Sequence, residues 1–260
     1  MRFEVAMQTD IGQVRQNNED TCFTFDTGSL TGQENKSYGI YIVADGMGGH
    51  QAGEVASHKA VEIIRSVLMD NTMNILNSDI NAIIREAFQK ANSEIYNLAV
   101  NDPLLKGMGT TVTLGFRNEE SLYIGHVGDS RAYLIRAGEI IKLTRDHSLV
   151  ENLKNAGMIT EAESKNYPDR NIITRAVGTS LNIIVDSCKE TIGEDSLSLY
   201  EKDKIVFCSD GLTNYVEDNE ILEIVVRSSS LNDACKTLVD TANSRGGNDN
   251  ITVIVVNSID

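Results

Sequence analysis

The stretch Ile40-Tyr41-Ile42-Val43-Ala44-Asp45-Gly46-Met47-Gly48-Gly49-His50 decides how the chain is read. An apolar run of this kind reads as a buried strand. It ends on a carboxylate, and the residues after it are mostly glycine, so backbone groups there can come close to a ligand. The arrangement recurs at Lys204-Ile205-Val206-Phe207-Cys208-Ser209-Asp210-Gly211 and, in related form, over residues 122–129. Near the C-terminus, Gly246-Gly247-Asn248-Asp249-Asn250 leads into the apolar run 251–256. A single Asp-Gly is by default a plain turn. Four strand edges with aspartate beside or near glycine, in a chain with only 4 histidines, point to a site built from oxygen ligands.

Outward from that stretch, apolar alternation predicts strands over 3–9 and 21–26, joined by the polar loop Gly12-Gln13-Val14-Arg15-Gln16-Asn17-Asn18-Glu19-Asp20. Alternation along the strand sends Glu19 and Asp20 to different faces, so only one of them points straight at a shared ion. Arg15 reads either as a guanidinium fork for an oxyanion or as half of a surface Arg–Glu pair. Apolar spacing predicts helices over 52–70 and after Ser78, with Ile80, Ile83, Ile84, Ala87, Ala91, Ile95 and Leu98 at helical spacing in the second. Strands at 110–116, 122–127, 132–136 and 139–143 form an antiparallel meander. Asp146-His147-Ser148 caps a short helix over 149–156. Residues 157–171 are polar and without sustained period, and read as a flap or a surface insertion. Strands return at 182–192 and 204–208, helices at 217–227 and 232–245, and a strand closes the chain at 251–256.

Strands clustered apart from helices predict an α+β fold in which two antiparallel sheets are stacked, with helix pairs outside. No linker or repeat divides the 260 residues, so one domain over 1–260 is expected. A net charge of -15 and a pI near 4.7 argue against nucleic acid or an anionic membrane as partner. The first residues lack a signal-peptide core and no run nears the roughly 18 apolar residues of a bilayer span, so a cytoplasmic protein is expected. Cys22, Cys188, Cys208 and Cys235 form no C-x-x-C pair, and Asn214 stands where a cysteine phosphatase loop from Cys208 would need arginine.

Asp20, Asp45, Asp210 and Asp249 each lie at a predicted strand end. Carboxylate and carbonyl oxygens suit Mg²⁺ and Mn²⁺, and the scarcity of histidine argues against zinc. Two such ions about 3.5–4 Å apart generate hydroxide near neutral pH and clamp the oxygens of an in-line displacement at phosphorus.

With these residues in view, the chain resembles the metal-dependent PPM/PP2C protein serine/threonine phosphatases in their compact bacterial form. The resemblance spans nearly the whole sequence, through Arg15-Gln16-Asn17-Asn18-Glu19-Asp20, Ala44-Asp45-Gly46-Met47-Gly48-Gly49-His50, Gly107-Met108-Gly109-Thr110-Thr111, Val127-Gly128-Asp129-Ser130-Arg131, Thr174-Arg175-Ala176-Val177-Gly178, Cys208-Ser209-Asp210-Gly211-Leu212-Thr213 and Gly247-Asn248-Asp249-Asn250-Ile251-Thr252. It implies a four-layer αββα sandwich and hydrolysis of phosphoserine and phosphothreonine in proteins by direct attack of a metal-bridging hydroxide. It also implies two catalytic Mn²⁺ or Mg²⁺ ions and a third, weaker one. Asp45 is then the bridging carboxylate, with the Gly46 carbonyl on one ion. Asp210 and Asp249 go to the first ion, Asp20 goes to the second, and Glu19 acts through bound water. Asp129, with Asp210, goes to the third ion, and Arg15 holds the substrate phosphate. Residues 157–171 take the place of the family's flap. Partners implied are phosphoproteins, including a bacterial serine/threonine kinase and its targets, met by a monomer.

One departure stands out. Met47 occupies the position where animal members carry histidine, so the usual acid is missing there and His50 is a poor substitute. The resemblance then routes the leaving-group proton through water held with the help of Asp129. Two other readings stay open beside the enzyme: a pseudophosphatase, disfavoured because every matched aspartate is present, and a sigma-factor-pathway phosphatase specific for one small partner.

Overall fold

The computed structural model describes residues 1–27, 37–48, 52–70, 79–165 and 167–259. In chain order these form β1 (Arg2–Asp10), β2 (Asp20–Asp26), β3 (Tyr38–Met47), α1 (Ala52–Asp70), α2 (Ile80–Asn101), a 3-10 turn (Pro103–Leu105), β4 (Gly109–Thr110), β5 (Val112–Asn118), β6 (Ser121–Val127), β7 (Arg131–Arg136), β8 (Glu139–Lys142), α3 (Leu149–Asn155), α4 (Glu161–Ser164), α5 (Lys189–Ile192), β9 (Leu197–Ser198), β10 (Lys204–Cys208), α6 (Asp210–Thr213), α7 (Asp218–Arg227), α8 (Leu231–Ser244) and β11 (Ile251–Ile259). Among the described residues one sheet runs β1-β11-β10-β7-β8 and the other β2-β3-β5-β6-β9, with β4 paired to the end of β3. Neighbouring strands are antiparallel throughout.

The apolar runs noted in the sequence are continuous because the central strands are covered on both faces. Along β3, Ile40, Ile42 and Ala44 pack with α1 and α2, while Tyr41 and Val43 turn inward toward the other sheet. Along β10, Val206 and Cys208 face α7 and α8, and Ile205 and Phe207 face the opposing sheet. β11 alternates likewise, with Val253 and Val255 outward and Ile254 and Val256 inward. Three apolar layers between four structural layers follow from that period of two, and the αββα sandwich expected from the sequence is what forms.

The helices begin where short polar side chains can accept their free N–H groups. Asp79 accepts from the Ala82 N–H, Ser148 from that of Glu151 and Ser230 from that of Asp233. The helix expected after Ser78 begins at Ile80 behind the Asp79 cap, while Gly49 and His50 fall outside the described residues.

One expected strand does not form. Residues 182–192 make a single bridge between Asp186 and His126 and then turn into α5. The Ser187 N–H and hydroxyl both donate to Glu190 Oε2, at 2.6 and 2.8 Å, and this local capping ends the extension. At the other end of β2 from Asp20, the fully buried Arg117 pairs with Asp26 at 2.8 Å and stacks over Phe3, a structural pair far along the strand.

Candidate active site

The site lies where β2, β3, the β6–β7 connection, the end of β10 and the loop before β11 reach one edge of the sandwich. Asp20, the first residue of β2, is the direct cross-strand partner of Asp45 on β3. Asp129 follows β6, Asp210 opens α6 one residue after the Ser209 cap, and Asp249 precedes β11. Gly46 sits where β3 meets the loop 11–19 and α1. A Cβ there would lie 2.2 Å from the Gly53 carbonyl and 2.6 Å from that of Glu19, so glycine is what lets these backbones meet.

The gathered carboxylates repel one another. Burial comes first among the causes that push Asp20 up to about 7, with Asp210 and Asp249 adding to it and hydrogen bonds from Thr252 and Ser209 opposing it. Asp45 is held well above the ordinary carboxylate range by burial and by Asp20, Asp210, Asp129 and Asp249 together. Asp129 is raised by burial and by Asp210 and Asp146, against the pull of Arg131. Asp210 is raised by burial and by Asp249.

Arg15 stands at this edge and donates from Nη2 to Asp249 Oδ2 at 2.8 Å. Its partial burial works against the charge, but Asp249, Glu19 and Asp45 outweigh that and keep the guanidinium more basic than usual. Glu19 turns aside as the alternation requires: its carboxylate lies over Gly53 in the first turn of α1, and a Cβ on that glycine would come within 2.8 Å of Oε2. Met47 ends β3 and offers no proton.

The donor set fits a hard cation. Buried oxygens Oδ1 of Asp20, Asp129 and Asp210 have no hydrogen-bond partner, although the second oxygens of Asp20 and Asp210 accept from Ser209 Oγ at 2.8 Å and Asn214 Nδ2 at 3.1 Å. Buried acceptors left this way are costly, and a divalent ion satisfies several at once. As the side chains stand, no three of the described histidine, cysteine, aspartate and glutamate groups close on a single point at ligand distance. A cleft of about 570 Å³ runs from Asp129 and Asp210 beneath residues 157–171, past Lys142, Glu151 and Lys154. Its roof is tied down by Lys154 to Glu161 and by Lys165 to Glu217, both at 2.8 Å. The larger groove of about 650 Å³ lies between β2 and α1 and does not reach Asp45, Asp210 or Asp249.

Residues 6–154 match the family model for protein phosphatase 2C. The chain belongs to the protein phosphatase 2C family. Among its relatives, a serine/threonine phosphatase stp of Listeria monocytogenes is 37% identical over 250 residues, which cover 96% of this chain and 93% of the relative. The crystal structure of the serine/threonine phosphatase PstP/Ppp from Mycobacterium tuberculosis superposes with a TM-score of 0.85 at 32% identity, covering both chains in full. A structure of the PstP catalytic domain in complex with two manganese ions has a TM-score of 0.82 at 31% identity and covers 100% of this chain and 99% of that one. Within this protein phosphatase 2C fold the buried thiols are ordinary packing groups: burial pushes Cys208 up to about 12 and Cys188 to about 11, far from a reactive thiolate.

The sequence pattern missed a buried polar cluster next to Asp129. His126 and His147 lie with ring centroids 4.8 Å apart, and His147 reaches Asp186 at 3.1 Å. Burial and the neighbouring His147 push His126 down to about 3, so it is neutral, and its Nε2 donates to the Arg145 carbonyl at 3.0 Å. The signal available was the pair of short motifs at 125–131 and 146–148, whose contact across the fold carries no periodicity.

Proposed function

We propose that this protein phosphatase 2C member is a Mn²⁺- or Mg²⁺-dependent phosphatase that hydrolyses phosphoserine and phosphothreonine in proteins. The observation that carries the reading is the set of three unpartnered, buried aspartate oxygens at one sandwich edge, beside a guanidinium. Asp45, with the Gly46 carbonyl, would hold both catalytic ions, Asp210 and Asp249 the first and Asp20 the second, while Glu19 would act through water. Asp129 and Asp210 would hold a third. Bound metal supplies an acidified water and neutralises phosphate charge.

The chain's own residues do the rest. Arg15, on the loop 11–19 with half its side chain open, forks onto phosphate oxygens and orients the ester. The roofed cleft beyond Asp129 receives the peptide on either side of the phosphorylated residue and excludes part of the solvent. Met47 donates nothing, so the proton for the departing serine or threonine oxygen is delivered from the Asp129 side. Family relatives named as serine/threonine phosphatases and a relative holding two manganese ions support the reading.

The unit is one catalytic domain over residues 1–260, working as a monomer in the cytoplasm on a serine/threonine kinase and that kinase's targets. No helix among the described residues is long and apolar enough to cross a membrane. The test is phosphate release from a phosphothreonine peptide by metal-stripped protein, with Mn²⁺ or Mg²⁺ restored and a phosphotyrosine peptide as control. Release without metal, or equal release from phosphotyrosine, overturns it.

A further inference from the structure

Two features take no direct part in the chemistry above, the Gly128 turn that leads into Asp129 and the motif 174–178 around Arg175, and the structure joins them. After the flap, the chain crosses the site edge as a strap bridged at Ser148 to Ile173, at Thr110 to Val177 and at His126 to Asp186. The Thr110 hydroxyl donates to the Asp45 carbonyl at 2.9 Å, so the middle bridge braces the Asp45 strand end. The outer two bridges flank His147.

His147 is 2% exposed and holds Gly128 from both sides. Its backbone N–H donates to the Gly128 carbonyl at 2.7 Å, and its Nδ1 accepts from the Gly128 N–H at 3.0 Å. Because that N–H can only donate, Nδ1 is the unprotonated nitrogen. Nε2 therefore carries the proton, and its N–H donates a hydrogen bond to Asp186 Oδ2 at 3.1 Å. Asp186 is held in turn by Arg175 Nη1 on Oδ1 at 2.6 Å. Gly128 needs such a clamp. Its φ is +118°, and a Cβ would lie 2.4 Å from that of Thr111, so no bulkier residue can stiffen the turn. The residue that follows it is Asp129.

We infer that His147 is a positioning residue for Asp129: it fixes the Gly128 peptide groups, and the Asp186–Arg175 pair fixes the imidazole. Partners that hydrogen-bond a metal ligand directly cost about 10–100-fold in affinity or activity when lost, and a histidine oriented by a carboxylate and clamping the peptide just before Asp129 acts by the same logic one step further out. The consequence for chemistry rests on the role proposed for Asp129, whereas the clamp itself does not.

Two substitutions at one position separate clamping from general packing. His147→Asn places an acceptor near the old Nδ1 and loses Asp186. His147→Gln reaches toward Asp186 and offers Gly128 nothing. Amide hydrogen exchange of the metal-free full chain, read at the Gly128 N–H, is expected to quicken about tenfold or more in His147→Gln and clearly less in His147→Asn. Turnover of a phosphothreonine peptide relative to p-nitrophenyl phosphate should fall about tenfold in His147→Gln, in kcat and not in KM, and be largely recovered in His147→Asn. Should His147→Gln fail to fold, Asp186→Ala keeps the backbone bridge to His126 and carries the same two expectations. Unchanged Gly128 exchange, or equal losses in the Asn and Gln variants, overturns the inference. Faster Gly128 exchange alongside peptide turnover that even Asp129→Ala leaves intact upholds the clamp and overturns the proposed role of Asp129.

Discussion

Asp20 and Asp45 stand directly opposite each other on antiparallel β2 and β3, two carboxylates at one rung of the ladder. Like charges so placed destabilise a sheet, and burial sharpens the cost. A cation between the strand ends, as proposed above, would reverse its sign.

That relationship has a pH signature. Asp20 is pushed up to about 7 in the fold against an ordinary 3.8, so only well below pH 3.8 is it protonated in folded and unfolded chains alike, where it adds no pH-dependent cost. As pH rises toward 7, the folded protein holds a proton the unfolded chain has lost, and stability drains away. Metal-free Asp20→Asn should therefore be more stable than the parent at pH 8 by about 1–3 kcal/mol, with the difference vanishing only at about pH 3. Urea unfolding at the two pH values checks it, and a less stable Asp20→Asn at pH 8 contradicts it.

Arg15→Ala should raise KM for phosphopeptides by about tenfold and lower kcat less, because a guanidinium on the ground-state phosphate contributes uniform binding. Steady-state kinetics on one phosphothreonine peptide suffices. An unchanged KM removes Arg15 from the site.

Met47 and Asp129 separate by leaving group. A serine or threonine oxygen needs a proton as it departs and a nitrophenolate does not. Asp129→Ala is expected to depress kcat for phosphothreonine peptides by at least about tenfold more than for p-nitrophenyl phosphate, as removal of general-acid help does. Met47→Ala should change neither strongly. Equal losses for Asp129→Ala would mean that it serves metal assembly as a whole, and a selective loss in His50→Ala would move the acid to His50.

The flap is tethered by ion pairs at the protein surface, which solvent and salt screen. Lys165→Ala cuts the tie to Glu217 and should alter selectivity among phosphoproteins while leaving p-nitrophenyl phosphate turnover in place. Equal losses on both substrate types would put residues 157–171 in the chemistry.

Much of this was legible in the sequence because burial on both faces writes itself as unbroken apolar runs. Residues 40–44, 205–208 and 251–256 announced the central strands, and the aspartates at their ends announced the site edge. The stretch 182–192 misled for a physical reason: Ile183, Ile184 and Val185 look like strand, but one bridge to His126 and the Ser187–Glu190 cap hold them instead. The grip of His147 on Gly128 was illegible because it spans 19 positions through a backbone amide, which no side-chain pattern records.

The central claim is that Asp20, Asp45, Asp210 and Asp249 hold the catalytic metal ions of the phosphatase. Crystals grown with Mn²⁺ and measured at the manganese edge test it most directly. The account predicts strong anomalous peaks among Asp20, Asp45, Asp210 and Asp249, lost on Asp45→Asn substitution. Phosphothreonine hydrolysis by protein whose crystals show no manganese at that edge, or manganese bound only elsewhere, would contradict it.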